Sequence, residues 1–157
     1  MSNIKIGIIG GGNMGEALIK GLHKTNKLYV VEANLSRAKY LKKKYKLTIA
    51  DIDLTVKESD VLILAVKPQD MSHVLDYVKA STLTGKLFIS IAAGLTTKFF
   101  ENAFDGRKVP VIRTMPNMPA LISEGITAIA PGKYTKAADV KLAQRILQTI
   151  GQTVIVK

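Results

Sequence analysis

Three consecutive glycines, Gly10 to Gly12, end the apolar run IKIGII and lead directly into a helix-like stretch that contains Gly15. Glycine stabilises regular structure less than other residues, so a cluster of it between a strand and a helix marks backbone that must turn sharply or approach something closely. Gly10, Gly12 and Gly15 form the pattern GxGxxG at this first strand-to-helix turn. In that pattern the first glycine permits the turn, the second admits a pyrophosphate to the backbone, and the third lets the helix lie close to the strand. The free amides and positive dipole end of the helix are worth ~0.3–2 kcal/mol to an anion. Asn13 is expected to help cap this helix. A second candidate strand ends in an acid, Glu32, near the spacing of about twenty residues at which a carboxylate meets a ribose hydroxyl. The pattern predicts a dinucleotide site. Glu32 leans the choice between NADH and NADPH toward NADH, because a carboxylate repels a 2′-phosphate. Asn34, Ser36 and Arg37 lie close enough in sequence to rescue that phosphate.

The remainder of the chain repeats the same alternation. Short β-branched runs at 4–9, 28–32, 61–66, 86–91, 109–113, 126–130 and 153–156 read as strands, several of them continuously apolar as parallel strands covered on both faces are. Helical periodicity falls near 13–23, 36–45, 70–80, 96–104 and 135–150, with Gly151 expected to cap the last helix. The expected fold is α/β, a doubly wound Rossmann-type domain with a mostly parallel sheet, and residues 1–157 form one domain.

Composition limits the function classes. The net charge is +11, from 23 Lys and Arg against 12 Asp and Glu. Its densest run, Lys42 to Lys44, lies between Leu41 and Tyr45 on the wet side of a predicted helix, and no aromatic-rich RNA-binding or zinc-finger signature accompanies it. Nucleic acid is therefore not an expected partner. No apolar run is long enough to cross a bilayer, and the amino terminus does not read as a signal peptide, so a cytoplasmic protein is expected. The absence of cysteine removes disulfides and thiolate metal sites. His23 and His73 have no matching ligand cluster, and the acids show no metal-loop spacing, so no metal is expected.

Three further segments carry candidate chemistry. In AVKPQ, residues 65–69, Pro68 keeps Lys67 extended at the end of a strand, where it offers a cation to a cofactor or anionic substrate or else stands as a solvated loop lysine. In SIAAGLT, residues 90–96, Ala92, Ala93 and Gly94 leave room for a planar ring, or simply turn the chain into a helix capped by Thr96 or Thr97. In RTMPNMPA, residues 113–120, two prolines hold Asn117 on a stiff loop; its amide suits the carboxamide of a nicotinamide, and an ordinary Asn turn is the competing explanation. Met14, Met115 and Met118 are expected to pack around a ligand edge.

The segments IGIIGGGNMGEALIKGL, DVLILAVKPQ, ISIAAGL and RTMPNMPALISEGITAI together resemble pyrroline-5-carboxylate reductase, in the same order and at similar separations. The resemblance implies NAD(P)H-dependent reduction of 1-pyrroline-5-carboxylate to L-proline, the last step of proline biosynthesis. It implies cofactor contacts from Ile9, Gly10, Gly11, Gly12, Asn13 and Met14, from Ala65, Val66, Lys67 and Pro68, and from Ile91, Ala92, Ala93 and Gly94. Asn117 corresponds to the asparagine of the family's MPN motif, near the nicotinamide end. Family members often carry alanine at the place of Gly15, which is expected to be harmless to helix packing. Where the family has an asparagine before the strand leading to AVKP, this chain reads Asp51-Ile52-Asp53. The family continues after TVIV into a helical domain that carries most of the dimer interface and a hydroxyl residue assisting at the substrate nitrogen. That domain lies outside these residues, so homo-oligomerisation and full activity are expected only with it. No residue of this chain is assigned a catalytic role. The alternatives are another NAD(P)-dependent dehydrogenase of the hydroxyacid or 6-phosphogluconate type, and a non-catalytic dinucleotide-binding module.

Overall fold

The computed structural model describes residues 3–157. Strands and helices alternate through most of the chain: β1 (Lys5–Ile9), α1 (Asn13–Leu22), β2 (Lys27–Val31), α2 (Leu35–Tyr45), β3 (Thr48–Ile49), α3 (Ile52–Glu58), β4 (Val61–Leu64), α4 (Met71–Val78), β5 (Leu87–Ser90), α5 (Thr97–Ala103), β6 (Val111–Met115), β7 (Gly125–Pro131), α6 (Ala137–Leu147) and β8 (Gly151–Ile155). One sheet runs in the order β3-β2-β1-β4-β5-β6-β7-β8. Its first six strands are mutually parallel, β7 runs antiparallel to β6, and β8 is parallel to β7. This is the expected doubly wound Rossmann-type fold.

The apolar runs explain why both faces are covered. Successive side chains on a strand point to opposite faces. In β1 and β4, Ile6, Ile8, Val61 and Ile63 therefore join α1, α2 and α6 in one core, with Leu18, Leu41 and Ile146. Ile9, Leu62 and Leu64 join α3, α4 and α5 in the other, with Val56, Val78 and Phe100. An alternating strand would have filled only one of these layers.

The segment 48–58 departs from expectation. It forms β3 and α3, which no periodic pattern in the sequence announces because both are short and α3 buries only Thr55 and Val56. Asp51 is what starts α3: its carboxylate accepts the Leu54 N–H at 2.8 Å. The last helix is also shorter than expected. The α-helical part stops at Leu147, a 3-10 turn covers Gln148–Ile150, and Gly151 closes that turn at φ 139° while opening β8.

The strand order reverses at β1, whose neighbours β2 and β4 lead the chain in opposite directions. In open α/β sheets a crevice forms at such a point, outside the carboxyl ends of the strands. The register is level there. Val31, Ile9, Leu64, Ser90 and Arg113 lie in one row across β2, β1, β4, β5 and β6. The residues that follow them form the lip of the crevice.

Candidate functional site

The first part of the lip is the glycine turn. Ile9 ends β1 fully buried. Gly10 adopts φ +110°, and a Cβ there would stand 2.5 Å from the Ala65 carbonyl oxygen. Its N–H donates to the Val31 carbonyl at 2.9 Å, which ties the turn to β2. Gly12 is the N-cap of α1, and a Cβ on it would meet no protein atom within 4 Å. The helix has no side-chain cap: Asn13 is its first residue, exposed, and does not cap it as expected. The first hydrogen bond of the helix runs from the Glu16 N–H to the Gly12 carbonyl at 2.8 Å. The Asn13 and Met14 amides precede it and have no protein acceptor among the described residues. Open space over Gly12 beside unused amides is a fit for an anion at a helix N-terminus.

Gly15 corrects one expectation. A Cβ there would run into the Gly10 carbonyl oxygen and reach Ala65 Cβ at 3.8 Å. An alanine is therefore not harmless in this backbone; the turn would have to shift.

Beside the turn stands a cluster of charged and polar groups. Glu32 follows β2 directly. Its Oε2 accepts the Gly11 N–H at 2.7 Å and its Oε1 the Asn34 N–H at 3.0 Å. Asn34 caps α2 through its Oδ1, which accepts the Arg37 N–H at 2.9 Å. Arg37 turns back over the glycine turn, where its Nε donates to the Gly11 carbonyl at 2.7 Å and its Nη2 to the Gly12 carbonyl at 3.4 Å. The same Nη2 pairs with Glu16. Glu16 also accepts from the Tyr45 hydroxyl at 2.8 Å, the Tyr40 hydroxyl at 3.1 Å and the Lys44 ammonium at 3.3 Å. Burial alone would push its carboxyl up. The hydrogen bonds from Tyr45, Arg37, Tyr40 and Lys44 outweigh burial and bring it down to about 2. Sequence reading missed Glu16, Tyr40, Lys44 and Tyr45. The available signal was the helical spacing of Arg37, Tyr40 and Lys44 on one face of α2.

The second part of the lip is more open. Ala65 and Val66 follow β4 half-buried, and Lys67 is exposed with an extended backbone at φ −65°, ψ 150°, before Pro68 starts a 3-10 turn. After β5, Ile91 is half-buried and Ala92 buried, the latter donating its N–H to Ser90 Oγ at 3.2 Å. Ala93 and Gly94 are exposed, with Gly94 at φ +77°. Thr96, not Thr97, caps α5, accepting the Phe99 N–H at 3.2 Å. Asn117 is exposed beyond β6, and its Oδ1 accepts the Ile126 N–H at 2.9 Å, which leaves its NH₂ as a donor. The fold thus brings all the sequence-predicted residues to one end of the sheet.

At the same end Met14 packs against the core from the first turn of α1, while Met115, the last residue of β6, and Met118 are exposed. His23 packs edge-on against Tyr45 and His73 against Tyr77. Among the described residues no three His, Cys, Asp or Glu side chains converge as metal ligands, and no helix is long and apolar enough to cross a membrane. A cavity of about 270 Å³ between α1 and α6, lined by Ile4, Leu22, Asn26 and Arg145, contains none of the lip residues.

The chain is similar to known proteins along its length. A pyrroline-5-carboxylate reductase of Methanosarcina acetivorans is 41% identical over 98% of this chain and 59% of its own length. A solved pyrroline-5-carboxylate reductase from Coxiella burnetii superposes with a TM-score of 0.92 at 28% identity, over 99% of this chain and 60% of that one. The Plasmodium falciparum pyrroline carboxylate reductase, solved with NADP bound, gives 0.85 at 29% identity over 100% of this chain and 59% of that one. The resemblance drawn from four motifs therefore holds along the whole chain, which spans 59–60% of each of these relatives. Residues 5–94, more than half of the sequence, match the model of the family described as NADP oxidoreductase, coenzyme F420-dependent, and the chain belongs to that family.

Proposed function

We propose that this chain is the dinucleotide-binding domain of a pyrroline-5-carboxylate reductase, binding NADH or NADPH across the lip for the reduction of 1-pyrroline-5-carboxylate to L-proline. The observation that carries the reading is Gly12, where the space a side chain would fill is open above unused helix amides. The similarity to reductases over the full length of the chain supports it. A small-molecule substrate and a cytoplasmic site of action belong to the same reading.

Each part of the lip has a task. The Asn13 and Met14 amides hold the pyrophosphate, and Glu32 receives the adenosine ribose hydroxyls. Ala92, Ala93 and Gly94 give a flat approach for the ring, and the NH₂ of Asn117 is a donor for its carboxamide. Lys67 lends a cation to the same end. When bound, the nicotinamide supplies the hydride that the imine carbon requires. The ring nitrogen must gain a proton as well, and none of the described residues is assigned that role. We assign closure over the substrate, proton delivery and homo-oligomer formation to the helical domain that the family resemblance implies.

Within this reading NADH is preferred. Glu32 is pinned by two backbone N–H groups and so is not free to swing toward water. Like charges about 4 Å apart repel by ~4 kcal/mol at an effective dielectric near 20, an upper limit for its effect on a 2′-phosphate.

The test of the activity is to follow NADH absorbance with pyrroline-5-carboxylate, first with this chain alone and then with the helical domain added as a separate polypeptide. The chain alone should be slower by at least ~100-fold, since orientation and water exclusion are incomplete without closure. Robust turnover by the chain alone would show that its own residues suffice and would contradict the division of labour.

A further inference from the structure

Arg37 is the arginine closest in sequence to Glu32, the acid read above as facing the adenosine ribose. It sits in the first turn of α2, three residues after the Asn34 cap and five after Glu32. An arginine in this neighbourhood is the usual means of holding an NADP 2′-phosphate. Here its Nε and Nη2 are directed elsewhere. Nε bonds the Gly11 carbonyl at 2.7 Å, and Nη2 reaches the Gly12 carbonyl and the Glu16 carboxylate. The two carbonyls are neutral acceptors and restrain Arg37 less. Glu16 is the strong one: a charge-assisted bond is about twice as strong as a neutral one. The carboxylate is mostly buried, with 18% of its side chain exposed, and is fixed independently by Tyr45 and Tyr40. It therefore stays in place whatever Arg37 does.

Resting on the dinucleotide reading above, we propose that Glu16 is a specificity-determining residue for cofactor choice: it holds Arg37 against the glycine turn and so denies a 2′-phosphate its cationic partner. Glu32 and Glu16 then act by different means. Glu32 repels the phosphate, and Glu16 withholds the group that would attract it. Neither needs to touch the nicotinamide. Glu16 is a positioning residue in this scheme, and Arg37 is the group positioned.

The consequence is a specific pattern of affinities. Glu16→Gln keeps the size of the side chain but removes the charge and turns one acceptor oxygen into an NH₂ donor, so Arg37 loses its charge-assisted partner and is free to turn outward. NADPH affinity relative to NADH should then rise by roughly tenfold or more, as expected of a released hydrogen bond to a charged group. In the double variant Glu16→Gln/Arg37→Met the gain should vanish, because no guanidinium remains to be released. A merely structural role for Glu16 would weaken both cofactors together and leave their ratio where it was.

The experiment is fluorescence titration of the 157-residue chain with NADH and with NADPH, for the original sequence, both single variants and the double variant, with thermal unfolding of each recorded alongside. A rise in the NADPH to NADH ratio in Glu16→Gln that disappears in the double variant supports the proposal. An unchanged ratio overturns it, as does a rise that survives the loss of Arg37. If Glu16→Gln does not fold, Arg37→Met alone decides: the proposal predicts an unchanged ratio because Arg37 is already withheld, and a clear fall in relative NADPH affinity overturns it. An original chain that binds neither reduced cofactor overturns the dinucleotide reading itself. That result is distinct from NADH binding with an immobile ratio.

Discussion

The two parts of the lip are built differently. Around the β1–α1 turn, backbone carbonyls and N–H groups are cross-linked to side chains: Gly11 both donates to Glu32 and accepts from Arg37, and Arg37 in turn is held by Glu16. Around the ends of β4, β5 and β6, Lys67, Ala93 and Gly94 are exposed, and Asn117 makes a single side-chain bond, to Ile126. The first part is shaped before any ligand arrives, so binding there costs little ordering. The second takes its shape from backbone conformation, with Pro68 and the φ +77° of Gly94 fixing where the loops point. Such a surface can hold one face of a ring but does not enclose it.

This contrast can be broken by acid first. Glu16 has its carboxyl lowered from 4.5 to about 2. A group whose folded value is depressed adds stability above its unfolded value, and that stability is lost as pH falls through the folded value. The tightly bonded part of the lip should therefore loosen between pH 4.5 and about 2. Acid unfolding followed by circular dichroism should show this component in the original chain and not in Glu16→Gln. An identical acid profile in the two would mean that the cluster contributes nothing to the shape of the turn.

A smaller effect separates two glycines. Gly15→Ala places a Cβ against the Gly10 carbonyl, in packed backbone; we expect a loss of about 2–3 kcal/mol in urea unfolding, the cost of overpacking a rigid site. Gly94→Ala meets no atom within 4 Å and suffers only from its positive φ. It should lose about 1 kcal/mol. Equal losses would mean that the second part of the lip is packed as tightly as the first.

How much of this was legible follows from the kind of interaction involved. The glycine turn, the mostly parallel sheet covered on both faces that continuous apolar runs imply, and the placing of AVKPQ at the end of a strand all follow from local pattern. Gly12 and Glu32 were readable because spacing alone sets their neighbours. The Asn13 cap was not, since Gly12 takes the capping position and leaves Asn13 inside the helix. The tolerance expected at Gly15 failed for a related reason: the obstacle is a carbonyl five residues away, brought close by the turn itself. The Glu16 cluster depends on α1 and α2 lying side by side, with partners 21 to 29 residues apart. α3 was invisible because a seven-residue helix burying two residues leaves too short a period to read.

The central claim is that the glycine turn is a pyrophosphate site, and Gly12→Val tests it most directly. The substitution adds three carbons to space that holds no protein atom within 4 Å of the new Cβ, at an extended N-cap that accepts a β-branched residue. Calorimetric titration with NADH should give one site on the original chain and a loss of at least ~100-fold in affinity for the variant, equivalent to nearly 3 kcal/mol, with thermal unfolding little changed. A folded Gly12→Val chain that binds NADH as tightly as the original would contradict the account.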